Sequence, residues 1–134
     1  MYVDTSAWIA FFSARDQNHV QAASLFREVV ARSVRLTTTN LVIAELHRLL
    51  LHRAGMVAAL RTLDRIESSP RVSIVFASGS HHTAAKSYLA RLPDCRISYT
   101  DAVSFAVMKE SRCARFLSFD TDFLAAGFLP WTPD

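Results

Sequence analysis

Asp4, Glu45, Asp101, Asp120 and Asp122 are the residues of this chain best suited to chemistry. Taken singly, each has an ordinary explanation. Asp4 precedes Thr5-Ser6 and an apolar helix, where it could be an N-cap. Asp101 sits three residues after Ser98, a spacing like that of a capping box, with Asp in place of the usual Glu or Gln. Asp120 and Asp122 could cap or charge the first turn of a short helix after Phe119. Glu45 lies among Leu41, Val42, Leu46 and Leu49, with Arg48 three residues on as a possible ion-pair partner.

Together the acids suggest more. Asp4 follows the apolar pair Tyr2-Val3, and Asp120 follows Arg115-Phe-Leu-Ser-Phe119. In open parallel sheets, ligands bind beyond the carboxyl ends of the strands, where strand order reverses. Acids at strand ends and at neighbouring helix starts can meet there. Several ionised carboxylates share a small space only if cations neutralise them. Oxygen-only ligands suit Mg²⁺ or Mn²⁺ better than zinc. Such a site fits phosphodiester hydrolysis, in which a metal polarises the phosphate and activates water.

The elements that must position these acids follow from apolar periodicity. Short strands are expected at 2–3, 34–38, 72–76, 115–119 and 128–131. Helices are expected at 5–13, 18–32, 41–53, 56–66, 80–92, 98–111 and 120–126. Asn40 reads as the N-cap of the third helix, and Gly55 interrupts that helix before the fourth. Alternating strands and helices indicate an α/β three-layer sandwich with a mostly parallel central sheet. With 134 residues, 51% of them hydrophobic, the simplest account is one domain over 1–134.

Composition narrows the class. Thirteen of the fifteen basic residues are Arg, and the formal charge is +3. Arg forks suit phosphate oxygens, although Arg-rich composition also follows from a GC-rich genome. No apolar run is long enough to cross a bilayer, and the first residues lack the pattern of a signal peptide, so a cytoplasmic location without membrane contact is expected. Cys95 and Cys113 have no zinc-type spacing and read as free thiols. His47 and His52 are five apart, and His81 and His82 are adjacent, so neither pair suits a helical metal site. There is no Gly-x-Ser-x-Gly elbow and no P-loop. Trp8, Phe11 and Phe12 read as core, and Trp131 as an edge or interface residue.

Four stretches carry a family resemblance. They are Val3-Asp-Thr-Ser-Ala-Trp-Ile9, Thr39-Asn-Leu-Val-Ile-Ala-Glu-Leu46, Ser98-Tyr-Thr-Asp-Ala102 and Leu117-Ser-Phe-Asp-Thr-Asp-Phe123. In this order and spacing they resemble the PIN-domain ribonucleases, specifically the VapC-type toxins of toxin–antitoxin pairs. The resemblance implies a PIN-like sandwich and Mg²⁺- or Mn²⁺-dependent cleavage of single-stranded RNA. It assigns catalysis to Asp4, Glu45, Asp101 and Asp120. Metal binding would fall to Asp4, Asp101, Asp120 and Asp122, and supporting hydroxyls to Ser6 and Thr100. It also implies an RNA substrate (tRNA, rRNA or mRNA), a VapB-like antitoxin and a homodimer. The alternatives are a PIN-like RNA-processing nuclease that is not a toxin, or a non-catalytic module that binds RNA or a partner. Asp120-Thr-Asp122 also resembles the Asp-x-Asp of aspartate-nucleophile phosphatases. Only twelve residues follow it here, too few for the domain such an enzyme needs.

Overall fold

The computed structural model describes residues 1–133. Its elements run β1 (Tyr2–Val3), α1 (Thr5–Phe12), α2 (His19–Ala31), β2 (Leu36–Thr39), α3 (Asn40–Ala54), α4 (Met56–Glu67), β3 (Val72–Val75), α5 (Gly79–Arg91), α6 (Tyr99–Glu110), β4 (Arg115–Leu117), α7 (Asp122–Ala125) and β5 (Leu129–Pro130). Every expected element is present, with ends shifted by one or two residues. The strands form one sheet in the order β3-β2-β1-β4-β5, and every pairing is parallel.

That order fixes where a site can form. From β1 the chain steps outward to β2 and β3, then returns to place β4 on the other side of β1. Crossovers between parallel strands are right-handed, so reversing direction puts α5 and α6 on the opposite face from α1–α4. The helix packing agrees, with α1, α3 and their partners in one group and α5 against α6 in another. The β1–β4 gap is therefore the switch point, and Asp4 follows β1 there directly.

The core is apolar and aromatic. Tyr2, Phe105, Phe116 and Phe123 are fully enclosed, with Leu46, Val42 and Val103 around them. Phe105 and Phe123 meet edge to face with centroids 5.0 Å apart, a favoured aromatic geometry. Trp8 is buried, and Phe11 and Phe12 pack partly against the core.

Two local details differ from the sequence reading. Thr39, not Asn40, caps α3, since its hydroxyl accepts from the Val42 amide at 3.2 Å. Asn40 occupies the first helical position, and its Oδ1 accepts from the Ala77 amide at 2.9 Å, tying the end of β3 to the start of α3. Gly55 does separate α3 from α4, with φ +85 in the left-handed region that glycine adopts without strain. Both cysteines are free. Among the described residues, no helix is long and apolar enough to cross a membrane.

Candidate active site

Asp4 is buried at the end of β1, 4% exposed, and its backbone amide bonds the Leu117 carbonyl of β4 at 3.1 Å. Its carboxylate caps α1, as the bland reading expected. It also does more than a cap requires. Oδ2 accepts from the Ser6 amide at 3.4 Å, the Ser6 hydroxyl at 3.1 Å and the Ser118 hydroxyl at 3.0 Å. Ser6 Oγ and Ser118 Oγ are themselves 2.9 Å apart. Two hydroxyls have only two protons for these three contacts. When Asp4 is ionised both protons can point at it, and the Ser–Ser contact is left without one.

The same hydroxyls hold the turn after β4. The Phe119 amide donates to Ser6 Oγ at 2.9 Å, and the Asp120 amide donates to Ser118 Oγ at 3.0 Å. Asp120 Oδ1 in turn accepts from the Asp122 amide at 3.1 Å. Asp120 therefore starts the turn of α7, although Thr121 is the residue at the cap position.

Asp101 lies in the first turn of α6 and closes a capping box with Ser98. Its Oδ2 accepts from the Ser98 amide and hydroxyl, both at 2.8 Å. Glu45, half-buried on α3, accepts from the Thr5 hydroxyl at 2.8 Å. No Glu45–Arg48 ion pair forms among the described residues, where the recorded ion pairs are Arg32–Glu28, Arg53–Asp16 and His81–Glu110.

Electrostatics link Asp4, Glu45 and Asp120 through Asp101, and Asp122 through Asp120. Burial, reinforced by the Asp101 charge, pushes the Asp4 carboxyl from its ordinary 3.8 up to about 6, against the hydrogen bonds that favour its ionised form. Asp101 is raised as well, first by burial, then by Asp120 and Glu45, with the Ser98 bonds opposing. Asp122 is raised by desolvation and by Asp120. Among the described residues, none of the five forms an ion pair with Lys or Arg.

The expectation of a gathered acidic cluster needs correction in one respect. Among the described residues, no three acids are already brought together as a metal cage. The physical reason is local. Each carboxylate is drawn toward its own amide or hydroxyl donors, and mutual repulsion gives nothing back for closer approach. Thr100 differs from Ser6 in its bonding. Its carbonyl accepts from Ser104 Oγ at 2.8 Å, and its hydroxyl makes no bond to a site carboxylate among the described residues. The hydroxyls that bond these carboxylates are those of Ser6, Thr5, Ser98 and Ser118. Adjacency in the sequence signals only the Ser6–Asp4 and Ser98–Asp101 bonds, whereas Thr5 reaches Glu45 and Ser118 reaches Asp4 across the fold.

A divalent ion suits this set on chemical grounds. The donors are all oxygens, the charges are one-signed, and burial together with neighbouring carboxylates pushes Asp4 and Asp101 toward protonation, which a bound cation would oppose.

Comparison with known proteins adds the following. The PIN domain profile matches residues 1–129. The 23S rRNA-specific endonuclease VapC20 of Mycobacterium tuberculosis is 33% identical over 134 residues, spanning 100% of this chain and 99% of that protein, in both strain CDC 1551 / Oshkosh and strain ATCC 25618 / H37Rv. The crystal structure of Mycobacterium tuberculosis VapC20, described as a sarcin-ricin loop cleaving toxin, superposes with a TM-score of 0.86 at 33% identity, covering 96% of this chain and 95% of that one.

Proposed function

This chain belongs to the PIN-domain family, and from that premise we propose that it is an endoribonuclease acting as the toxin of a toxin–antitoxin pair. The observation that carries the reading is Asp4 at the β1–β4 switch point, electrostatically coupled to Asp101. An acid raised first by burial and then by a neighbouring carboxylate, at a strand end where the sheet reverses, is a candidate functional group rather than only a helix cap. The full-length similarity to VapC20 supports the toxin assignment and makes large-subunit ribosomal RNA the first substrate to test.

Mg²⁺ or Mn²⁺ would be held by Asp4, Asp101, Asp120 and Asp122, and would polarise the scissile phosphate and lower the pKa of water. The chain's own residues do the rest. Ser6 and Ser118 aim the Asp4 carboxylate and keep it ionisable despite burial. Ser98 fixes Asp101 at the amino end of α6, where the helix dipole also favours negative charge. Glu45, oriented by the Thr5 hydroxyl, would accept a proton from water. The partner antitoxin would bring a cation to the acids, and a homodimer completes the reading.

The test is induced expression in a bacterial host with mapping of cleaved RNA ends. Growth arrest with a discrete cut in ribosomal RNA, absent for Asp101→Asn, is expected. A protein that cleaves RNA yet is harmless when induced would leave the nuclease and remove the toxin. The phosphatase alternative loses its footing because Asp120 follows the fourth strand, not the first.

A further inference from the structure

Nine large hydrophobic side chains are conspicuously exposed among the described residues, and only two of them, Phe76 and Tyr99, are aromatic. The seven aliphatic ones are spread over α2, α4, α7 and β5. Both aromatics lie at the site end of the molecule. Phe76, 75% exposed, immediately follows β3 at the carboxyl edge of the sheet. At the usual strand spacing this is about 10 Å from the end of β1, two strands away. Tyr99, 43% exposed, is the first residue of α6, two before Asp101.

Tyr99 is also held in place. Its hydroxyl is 3.0 Å from Nδ1 of His82 in the first turn of α5, and the two rings lie 5.8 Å apart at 56°. A tethered ring loses little further freedom when something stacks on it. An exposed aromatic with its polar end already satisfied presents a face with one evident use, contact with another flat apolar surface. Helical geometry adds a direction. Side chains two apart leave a helix about 200° from each other. Tyr99 is thus turned toward α5 and away from the Asp101 carboxylate.

We propose that Tyr99, steadied by His82, is a stacking platform for an unpaired nucleobase next to the scissile phosphate, an inference that rests on the ribonuclease reading above. Stacking is available to every base, so the platform favours unpaired, splayed-out nucleotides over duplex without reading a sequence. It gives the acidic centre, which attracts no phosphate by itself, a way to seat RNA by contacts other than charge.

The experiment compares wild type, Tyr99→Leu, Tyr99→Phe and His82→Ala on a short single-stranded RNA and on versions made abasic at each position around the cut. Circular dichroism checks folding, and Tyr99→Phe keeps the ring if Tyr99→Leu is poorly folded. Tyr99→Leu should raise KM roughly 5- to 150-fold with a much smaller effect on kcat. Tyr99→Phe, which keeps the ring but loses the hydroxyl bond to His82, and His82→Ala should both fall between wild type and Tyr99→Leu. One abasic position should weaken wild type and leave Tyr99→Leu no weaker than it already is. An unchanged KM in Tyr99→Leu, or equal losses on intact and abasic RNA, overturns the platform while the nuclease stands. A wild type that cleaves none of these RNAs at any metal concentration overturns both.

Discussion

Ser118 and Asp4 are 114 positions apart in the chain and 3.0 Å apart in the fold, joined by a hydrogen bond from the Ser118 hydroxyl to Asp4 Oδ2. The bond spans the two strands between which the sheet reverses its order. It couples the carboxylate of one strand end to the backbone of the other, because the same Ser118 oxygen accepts from the Asp120 amide. The acids are therefore positioned by hydroxyls, and those hydroxyls are as testable as the acids.

Ser118→Ala removes a donor that favours the ionised form of Asp4. Partners that orient ligands of a metal site typically matter by 10- to 100-fold, so a loss of roughly that size in kcat/KM is expected. The acidic limb of the pH–rate profile should also move to higher pH, which simple loss of packing would not cause. Ser118→Thr, keeping the hydroxyl, should restore much of both.

Charge neutralisation should separate site from fold. Asp4→Asn, Asp101→Asn and Asp120→Asn should each abolish cleavage, while thermal stability in chelator is unchanged or higher, because mutual repulsion is relieved. Asn remains a good cap, so the hydrogen-bonding role is spared. Retained activity with a stability loss of at most about 0.5–2 kcal/mol would instead fit caps alone.

The pH dependence of stability has a definite sign. Asp4 binds its proton more tightly in the folded metal-free protein, near 6, than at its ordinary 3.8. Its contribution is fully present below the unfolded value and is lost as pH rises through about 6. A two-unit shift corresponds to ~3 kcal/mol as an order of magnitude. Melting in chelator should therefore show Asp4→Asn gaining on wild type from pH 4 to pH 8. Equal slopes for the two proteins would remove Asp4 as the strained acid.

A partner that inhibits through the site should behave as a cation does. An antitoxin segment placing Arg or Lys among the acids would compete with Mg²⁺ and bind Asp4→Asn and Asp120→Asn less tightly. Titration of the partner at several Mg²⁺ concentrations measures this. Affinity indifferent to metal and to mutation would place the partner elsewhere.

Much of this was legible in the sequence. Apolar spacing located all twelve elements, because amphipathic helices and short β-branched strands keep distinct periods. Asp4 and Asp120, read as following strands, do follow β1 and β4. Three features were hidden. Thr39 and Asn40 are both good caps, and only the Asn40–Ala77 contact, 37 residues apart, decides between them. Thr100 is the nearer hydroxyl in sequence, but the turn of α6 directs Ser98, at its capping-box spacing, to the carboxylate. His81 was weighed as a metal ligand and set aside. It is a buried capping-box residue whose Nδ1 accepts from the Ser78 amide at 3.1 Å, a role that the usual Glu or Gln pattern does not reveal.

The most direct measurement is cleavage of a transcribed ribosomal RNA fragment by purified protein across a titration of Mg²⁺ and of Mn²⁺, with EDTA and Asp4→Asn as controls. Cleavage that rises with metal, stops in chelator and is absent in Asp4→Asn at every concentration is the predicted result. Undiminished cleavage in excess EDTA, or by Asp4→Asn, would contradict an acid-centred, metal-assisted ribonuclease.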